Sequence, residues 1–513
     1  MAAGSSIPKS WIQAPLEKVC EILDFMRIPI NASERAKRIE EKQSAELYPY
    51  YGATGQVGVI DGYLFDGEHV LIGEDGAPFL DPFKDTAYLV RGRFWVNNHA
   101  HILKSHISNK YLCFYLNQID YSRHVTGTTR LKLNQAALKQ ILTYLAPENE
   151  QRRIVAKIEE LFSELDKGVE SLKTARKQLK VYRQAVLKHA FEGNLTAQWR
   201  EENKEKLETA DQLFARIRSE RETRYQQQLE EWKAALIGWD AKGKPGKKPG
   251  KPKLPHDIGP PNENESANLT KLPHGWAWVE IGNLCDVVRG GSPRPAGDKK
   301  YYDGNIPFLK VADLTRKPGA YLNTFSYTIK VAGLQKTRLV GPNTLMISNS
   351  GATLGVPKVC LIDATFNDGI AAFLGLNEAE LLYHYYFWLS KTAALRGINQ
   401  GAAQPNLNTD LLREIPIPVC SLAETQFVAQ EVEKALSVCD QLLQEIEDGL
   451  SRCTALRQSI LKRAFSGQLV AQDPNDEPAS ELLERIRVEK AASADKPRYK
   501  ARRKGPSGVE RVD

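Results

Sequence analysis

The chain has little of several features that mark common classes of protein. Its 513 residues include only seven cysteines, an odd number without any Cys-x-x-Cys pair, which favours reduced, mostly buried thiols over a disulfide or zinc framework. No apolar run approaches the ~18 residues of a membrane-spanning helix. Residues 1–11 lack a basic segment followed by an apolar stretch. We therefore expect a cytoplasmic protein without membrane contact.

Sequence signatures of catalysis are also missing. There is no Gly-x4-Gly-Lys-(Ser/Thr) phosphate loop. The nearest approaches to the motifs of an adenine methyltransferase are Phe65-Asp-Gly67, where His69 stands in place of the second glycine, and Asp81-Pro-Phe83, which lacks the second proline. Glu-x-Lys triplets, half of a common nuclease signature, occur as often as chance predicts in so charged a chain. We predict no catalytic residue and no bound cofactor in this chain.

What the chain does contain is a mild excess of positive charge. Lysine and arginine number 70 against 63 acidic residues, which gives a net charge of +7 and an isoelectric point near 8.8. This excess is compatible with a polyanionic partner but does not identify one. The chain has 42% hydrophobic residues to fill its cores, and its length predicts two to four domains.

An internal repeat organises the chain. Gly127–Asn134 (GTTRLKLN) aligns with Gly401–Asn408 (GAAQPNLN) at an offset of 274, and the same offset carries Ala190–Leu195 onto Ala464–Leu469. About 70 residues align in this frame without a gap. Chance similarity between two amphipathic helices could imitate part of the match, but it would not keep both motifs in one frame. The sequence therefore predicts two copies of one unit.

Each copy is predicted to be α+β, with a strand-rich half followed by a long helix. Short β-branched and aromatic runs such as Val57–Ile60 and Thr344–Ile347 are bounded by turn-forming residues. In this half the copies match more loosely, and Val70–Ala77 (VLIGEDGA) resembles Leu345–Ala352 (LMISNSGA) at an offset of 275. The fold class expected is a tandem duplication of this α+β unit.

The long helices carry a sustained heptad pattern. Apolar or small residues recur at alternating spacings of four and three from Ile154 to Val186 and from Val428 to Ile460. Such a narrow stripe suits a coiled-coil seam, although each helix could instead pack on its own domain. The predicted seam residues are Ile154, Ile158, Leu161, Leu165, Leu172, Leu179, Val428, Val432, Leu442, Ile446, Leu456 and Ile460.

Side-chain size favours antiparallel pairing of the two helices. An antiparallel pair whose layer positions add to 614 sets Leu165 against Gly449 and Gly168 against Ile446, so that a large residue faces a small one. The parallel register would set Ala175 against Gly449 and leave a gap. We therefore expect an antiparallel coiled coil with Leu165 opposite Gly449.

Composition divides the rest of the chain. Residues 241–273 are rich in lysine, proline and glycine, cannot form a core, and are predicted to be a basic linker. Beyond the long helices the copies stay related, since Ala210–Arg218 matches Ala479–Arg487 at an offset of 269. The segments predicted are strand-rich domains at 1–147 and 274–419, long helices at 148–193 and 420–467, a helical extension at 194–240, and a short helix with a basic tail at 468–513.

In their order and doubling these features resemble the specificity subunit of type I restriction-modification enzymes over nearly the whole chain. Each motif is weak alone, and the combination is specific. One departure is Glu424-Thr425, where the family usually has Glu-Gln, as at Glu150-Gln151; we expect it to weaken a contact at the helix start. The motifs that carry the resemblance are Tyr48–Gly55, Trp95–His101, Leu272–Trp276, Gly290–Pro293, Gly304–Phe308, Ser350–Thr353, Ile415–Pro418 and the two Ala-Phe-x-Gly-x-Leu helix ends.

The resemblance implies a protein that recognises DNA without catalysing a reaction. It implies two target-recognition domains joined by an antiparallel coiled coil, each domain reading one half of a split, asymmetric site, with helix length setting the unread gap. It also implies assembly on double-stranded DNA with two methylation subunits and, in the larger complex, two restriction subunits. Those partners would bring S-adenosylmethionine, ATP and Mg2+, and the whole complex would be a site-specific endonuclease and an adenine-specific DNA methyltransferase.

Two histidines could suggest a metal site. His99 and His101 alternate on a predicted strand, and His106 follows them. No carboxylate or cysteine has a matching spacing, and Asn97-Asn98-His99 belongs to the family pattern. We expect a structural or DNA-facing role and no metal.

Candidate DNA contacts follow from the chemistry of recognition. Base edges are bonded by Arg, Lys, Asn or Gln on exposed loops, and phosphates by basic or hydroxyl side chains. For any single residue the alternative is a solvated surface side chain. In the repeated Gly-x6-Asn loop the candidates are Arg130, Lys132, Gln404 and Asn406, with Thr128, Thr129 and Gly401 shaping the loop. The other candidates are Arg91, Arg93, Asn98, Lys104, Arg289, Arg294, Lys299, Lys300, Tyr301 and Lys310.

Two hypotheses of different classes remain. The first is a non-catalytic DNA-recognition and assembly subunit. The second is a coiled-coil scaffold whose repeated domains bind proteins. A preferred DNA site for the reconstituted complex would separate them.

Overall fold

The computed structural model describes residues 7–241, 243–244, 248–252, 254, 269–351, 353–398 and 407–494. The chain divides into two compact units, one formed by residues 1–175 with 445–513 and the other by residues 176–444. Each unit holds one strand-rich domain and a part of each long helix. None of the helices in these described ranges is long and apolar enough to cross a membrane.

Helices and strands alternate in the manner of an α+β fold, as the sequence predicted. The α-helices are Leu16–Val19, Ala32–Ile39, Asn109–Leu116, Gln135–Lys139, Glu148–Phe191, Ala197–Glu202, Ala210–Ala241, Ile281–Leu284, Val311–Thr315, Leu381–Ile398, Thr409–Arg413, Leu422–Ala464 and Ala479–Ala494. The strands are Ile12–Pro15, Cys20–Ile22, Tyr48–Gly52, Gly55–Ile60, His69–Gly73, Ala87–Val90, Trp95–Val96, Ala100–Ser105, Leu142–Leu145, Ala277–Glu280, Asp286–Arg289, Tyr302–Leu309, Tyr321–Leu322, Tyr327–Ile329, Arg338–Val340, Thr344–Ser348, Pro357–Cys360, Ala364–Phe366, Ile370–Leu374 and Pro416–Val419.

The first unit is centred on a four-stranded antiparallel sheet. Its strand order is Cys20–Ile22, Ala100–Ser105, His69–Gly73 and Ala87–Val90. His69–Gly73 has a paired strand on each side and is buried along its whole length, which explains its unbroken apolar core rather than an alternating pattern. Helix Asn109–Leu116 adds Leu112 and Leu116 to the same hydrophobic core. The end of the central strand at Gly73 is therefore held in place by the two neighbouring strands and by the core beneath this helix.

The second unit has the same plan with longer sheets. A five-stranded sheet runs in the order Asp286–Arg289, Ile370–Leu374, Thr344–Ser348, Pro357–Cys360 and Tyr321–Leu322. Helix Leu381–Ile398 covers it, and its Trp388 stacks on Phe373 with ring centroids 5.0 Å apart. A second sheet has the order Tyr327–Ile329, Tyr302–Leu309, Ala364–Phe366 and Arg338–Val340.

Strand pairing confirms the duplication. Ile12–Pro15 pairs antiparallel with Leu142–Leu145, and Ala277–Glu280 pairs antiparallel with Pro416–Val419. The members of the second pair lie 265 and 274 residues after those of the first, and 274 is the offset of the ungapped repeat in the sequence. Both strand-rich domains are therefore closed in the same way just before a long helix begins.

The long helices, Glu148–Phe191 and Leu422–Ala464, pair antiparallel. In the first unit Asp166 forms an ion pair with Arg457 at 3.2 Å, and in the second unit Arg183 pairs with Asp440. These two pairs are related by the 274-residue offset, and position numbers add to 623 in both. Antiparallel pairing is confirmed.

The register predicted from side-chain size is wrong by one heptad. A Cβ atom on Gly449 would lie 3.2 Å from Leu172 Cδ1, so Leu172 and not Leu165 is opposite this glycine. Side-chain size does not determine the register, because either Leu165 or Leu172 can fill the space left by Gly449. The flanking ion pairs form only in the observed register, which gives it an electrostatic preference.

Burial along the predicted seam is uneven. Most of its residues are buried or half-buried, but Leu442 and Leu456 are 42% and 51% exposed. A pocket opens between the helices around Gly168 and Cys453, and Leu456 lines it. Leu456 and Leu442 lie at seam positions, opposite Leu165 and Leu179 in the observed register, but stay partly exposed to solvent. Beside Leu456 two small residues, Gly168 and Cys453, face each other and leave a gap.

Crosslinking tests the corrected register. We expect a short bis-maleimide crosslinker to join the two helices in the full chain carrying Leu172→Cys and Gly449→Cys. The pair Leu165→Cys and Gly449→Cys, displaced by about 10 Å along the helix, should not react. Mass spectrometry of the digested protein gives the answer, and the opposite pattern would restore the register predicted from the sequence.

The segment after each long helix packs on the strand-rich domain of its own compact unit. In the second unit, helix Ala210–Ala241 buries Leu213 and Ile217. In the first unit, helix Ala479–Ala494 buries Leu482 and Ile486, the residues at the matching places 269 further on. Part of the helical extension is thus an integral part of a domain.

A titratable group lies under helix Ala210–Ala241. Glu380 is buried, and Arg216 Nη1 lies 3.7 Å from its carboxylate. Burial raises the pKa of Glu380 to about 7; Arg216 lowers it, whereas Glu220 and Glu208 raise it. This helix should therefore respond to pH.

We expect the attachment of this helix to weaken as the pH rises from about 5 to about 8. The folded-state pKa of Glu380 is above that of an unfolded glutamate, so the native state keeps a proton that the unfolded state has released, and this stabilisation is lost as the pH rises through about 7. Amide exchange of the helix, corrected for the intrinsic effect of pH, measures the change. Glu380→Gln should remove the pH dependence and the exposed neighbour Glu378→Gln should not; equal behaviour of both would contradict the prediction.

Candidate nucleic-acid interface

The repeated Gly-x6-Asn loop of the first domain is fastened to the end of the central strand. The Leu133 N–H donates to the Glu74 carbonyl at 2.8 Å, and Thr126 and Lys132 exchange backbone hydrogen bonds of 2.9 and 2.8 Å that close the loop. Gly127 has φ +96°, and a Cβ atom there would lie 2.4 Å from the Arg130 carbonyl oxygen, so only glycine fits. The loop is exposed but held in a defined conformation.

Two acidic residues at the strand end hold the two basic residues predicted for this loop. Arg130 Nη2 donates to Asp75 Oδ1 at 2.6 Å, and Lys132 Nζ lies 3.0 Å from Glu74 Oε1. The side chains of Arg130 and Lys132 are 60% and 51% exposed. His99 Nδ1 also lies 2.7 Å from Asp75 Oδ1. The structure therefore places three of the predicted or discussed residues, His99, Arg130 and Lys132, in one exposed cluster.

A buried network lies beneath this cluster. His101 Nδ1 is 2.5 Å from Asp24 Oδ2, and His101 Nε2 is 2.8 Å from the Leu133 carbonyl oxygen. Arg27 Nη1 donates to Glu74 Oε2 at 2.7 Å. Burial alone would raise the pKa of Asp24, but the hydrogen bond and charge of His101 and the charge of Arg27 lower it below its ordinary value. The carboxylates are therefore held ionised under the loop.

The network corrects one expectation about the histidines. Sequence spacing offered His101 no partner carboxylate, but the tertiary structure brings Asp24 and Glu74 to it, with possible ligand atoms within 4.8 Å of one another. Three such groups could hold a metal ion in principle. Here Arg27 and Lys132 already neutralise the carboxylates and a carbonyl occupies His101 Nε2, so the contacts are those of an ion-pair network.

The other candidates of the first domain do not share the contacts of this cluster with Glu74 and Asp75. Arg91 and Arg93 pair with Glu68 at 2.5 Å and Asp66 at 3.1 Å. Their positive charges are thus largely compensated on the surface. Asn98 and Lys104 are exposed, as are Thr128 and Thr129.

The second domain carries a much less compensated charge. Between Arg289 and Arg338 the sequence has ten basic and three acidic residues, an excess equal to the net charge of the whole chain. Within the described part of the chain, Arg316 alone among these ten forms an ion pair, with Asp313. This segment therefore creates a strong local positive field, which the small net charge of the whole chain does not indicate.

Tertiary contacts bring some of these basic residues close to one another. Arg338 Nε donates to the Arg289 carbonyl at 2.9 Å, and Lys330 Nζ donates to the Lys299 carbonyl at 2.7 Å. Lys310 Nζ lies 3.4 Å from the centroid of the Tyr327 ring, a cation–π contact. The predicted candidates in this basic segment, residues 289–338, are Arg289, Arg294, Lys299, Lys300, Tyr301 and Lys310, all exposed except the half-buried Tyr301 and Lys310.

Sequence reasoning missed part of both sites. Gln404, Asn406 and Gly401 lie outside the described residues. Glu74 and Asp75 were not predicted to hold the loop, although the match of VLIGEDGA to LMISNSGA already marked them as the charged positions of a repeated turn. Lys330, Lys336 and Arg338 were also missed, since nothing in their spacing shows that strand pairing brings them beside Arg289 and Lys299.

Comparisons with known proteins identify the class. The family described as the type I restriction modification DNA specificity domain matches residues 8–174 and 273–452. The EcoDI specificity subunit of Escherichia coli is 22% identical over 524 residues, which cover 97% of this chain and 98% of that subunit. A putative specificity subunit of Haemophilus influenzae, S.HindORF215P, is 34% identical over 143 residues, 28% of this chain and 34% of that subunit.

A solved structure supports the fold. A chain from a study of complex assembly and conformational transition of the type I R-M system superimposes with a TM-score of 0.59 at 17% identity, covering 90% of this chain and 99% of that one. The two strand-rich domains with paired helices thus have the fold of that chain. The chain belongs to the type I restriction-modification DNA specificity family.

Proposed function

We propose that this chain is the DNA sequence-specificity subunit of a type I restriction-modification complex and that it reads a two-part, asymmetric site. The observation that carries the proposal is the duplication itself. Two domains share one backbone plan, as their matching strand pairs indicate, but they present different side chains on their exposed loops. Such a pair can address two different half-sites.

In this proposal the two domains divide the work of recognition. The basic segment 289–338 of the second domain attracts and positions phosphates, while loop side chains such as Arg130 contact base edges. The helix pair separates the domains and sets the gap between half-sites. The chain catalyses nothing itself. Two methylation and two restriction subunits supply S-adenosylmethionine, ATP and Mg2+ and perform the reactions in the cytoplasm, where they meet chromosomal DNA.

Modified-base sequencing tests the proposal. The full chain is co-expressed with the methylation subunits of its own system in a host that lacks adenine methylation. We expect methyladenine in one motif with two specified parts and a fixed gap. A single contiguous motif would contradict the two-domain reading. The absence of any preferred DNA site in an assembled complex would favour the protein-binding scaffold.

A further inference from the structure

The loop and the strand end are joined by the same backbone bonds in both domains. The Leu133 N–H donates to the Glu74 carbonyl at 2.8 Å, and the Leu407 N–H donates to the Asn349 carbonyl at 2.8 Å. The Glu74 N–H donates to the His99 carbonyl at 2.7 Å, and the Asn349 N–H donates to the Gly369 carbonyl at 2.9 Å. At this junction the two copies therefore share one scaffold.

Two ion pairs at this junction of the first copy are matched by neutral residues in the sequence of the second copy. In the first copy Asp75 holds Arg130 and Glu74 holds Lys132. The offsets of 275 and 274 place Ser350 and Gln404 at the positions of the first pair in the sequence of the second copy, and Asn349 and Asn406 at those of the second pair. Both members of each ion pair are thus replaced by neutral residues together. A constant backbone with exchanged polar groups is what two domains need in order to read different bases.

Arg130 retains free donors. Its Nη2 donates to Asp75 Oδ1 at 2.6 Å and lies 3.3 Å from His99 Nδ1. Among the described residues no partner is found for Arg130 Nη1 or Nε. Asp75 takes one N–H of Nη2, and the other N–H of Nη2 can still act together with Nη1 or with Nε as an edge of two parallel donors. Two parallel donors match O6 and N7 of guanine in the major groove.

The neighbouring carboxylate distinguishes a base contact from a phosphate contact. Asp75 touches Arg130 and is 18% exposed. A phosphate bound to Arg130 would therefore lie close to a second negative charge, which lowers its affinity. The edge of a base is uncharged and does not meet this repulsion.

We propose that Arg130 reads a guanine in the half-site of the first domain and that Asp75, with His99, is a positioning residue that holds the guanidinium in place. The proposal rests on the proposed function, since it requires that the first domain binds DNA. It assigns one base pair of the motif to one side chain.

Methylation motifs of single variants test the assignment. The full chain carrying Arg130→Gln, Arg130→Lys or Asp75→Asn is co-expressed with the methylation subunits, and the motif is determined by modified-base sequencing. Arg130→Gln should lower the preference for one G·C pair in one half-site by about tenfold or more. Arg130→Lys should retain part of this preference. Asp75→Asn should relax the same position and no other.

Two variants serve as controls. Arg152→Gln removes an exposed arginine that also pairs with a glutamate at 2.6 Å, but on the long helix, and it should leave every motif position unchanged. Asp75→Ser combined with Arg130→Gln installs the residues found at the matching sequence positions of the second copy, and it should relax the guanine position. Methylation of the unchanged half of the motif reports an assembled complex.

The results distinguish the assignment of Arg130 to a guanine from the proposed function on which it rests. A wild-type complex without a two-part motif overturns the proposed function and this inference with it. A two-part motif that Arg130→Gln leaves unchanged overturns the inference alone. Equal loss of methylation at all sites shows a phosphate contact and also overturns it. Degeneracy throughout the half-site in Asp75→Asn would show that Asp75 merely holds the loop and would refute its positioning role.

Discussion

Removal of one heptad from both long helices should shorten the gap of the methylated motif by about three base pairs while sparing both half-sites. Seven residues span about 10.5 Å of helix, and one base pair of B-DNA spans about 3.4 Å. The deletions are Val169–Ala175 and Ile446–Arg452, because these segments face each other in the observed register. Removing matched layers keeps Gly168 beside Cys453.

The effect at the original gap should be large. With one half-site displaced, several base pairs are misread, and each mismatch costs about 1–3 kcal/mol, so methylation of the wild-type motif should fall at least ~100-fold. Modified-base sequencing and a methylation assay on oligonucleotides of stepped gap length measure both changes.

Two controls accompany the deletion. Deleting Val169–Ala175 alone breaks the pairing of layers and should abolish methylation at every gap. Replacing exposed residues of the same heptad without shortening it should leave the gap unchanged. A double deletion that still methylates the wild-type gap would show that the helices do not set the spacing.

Glu424→Gln should destabilise the start of the second long helix by about 3 kcal/mol, because it leaves a buried arginine without its counter-charge. Glu424 Oε1 accepts from Thr196 Oγ1 at 2.7 Å and from Arg200 Nε and Nη2 at 2.9 and 2.7 Å. The Arg200 side chain is 11% exposed and lies 5.5 Å from the centre of the Trp276 ring. Little water can therefore reach the Arg200 guanidinium to replace the lost partner.

The matching residue of the first copy should tolerate the same change. Glu150 is equally buried, but its partners are the neutral Trp11 Nε1, at 2.9 Å, and Gln472 Nε2. Burial raises the pKa of Glu150, so protonation favours the folded state, and the stability it contributes falls as the pH rises through the glutamate range. Glu150→Gln keeps one acceptor oxygen for Trp11, and the Gln472 side-chain amide can turn its own oxygen towards the new NH2 group, so stability should change by no more than about 1 kcal/mol.

Hydrogen exchange at the two helix starts measures this contrast. A loss of 3 kcal/mol should lower the protection of residues 422–429 by roughly 100-fold in Glu424→Gln. Protection of residues 148–155 should be nearly unchanged in Glu150→Gln. Equal losses in the two variants would contradict the difference that we assign to Arg200.

Thr425, at the start of the second long helix, makes a different contact from Gln151, the matching residue of the first copy. The sequence predicted a weaker contact at the second helix start because Thr425 replaces the glutamine found at Gln151. Gln151 Nε2 donates to the Ala146 carbonyl at 2.8 Å, whereas Thr425 Oγ1 lies 3.3 Å from Cys420 Sγ. Residue 420 matches residue 146 in the repeat. The contact is thus replaced by one to sulfur, a weak hydrogen-bonding group.

The sequence by itself determined the duplication, the α+β plan, the long helices and their antiparallel pairing. These features can be recognised in the sequence because they depend on repeated or periodic residues, such as the heptad spacing from Ile154 to Val186. The glycine at position 127 is also a local feature of the sequence, because a backbone with positive φ strongly favours glycine over other residues.

The tertiary structure alone decided the helix register and the composition of the recognition sites. Leu165 and Leu172 are equivalent in the heptad, and only the ion pairs across the helices, such as Asp166 with Arg457, distinguish them. Likewise Asp75 and Arg130 are 55 positions apart in the sequence, and no periodic pattern indicates their contact. Pairing between distant side chains depends on how strands and loops are brought together in space, and no local pattern of the chain records that.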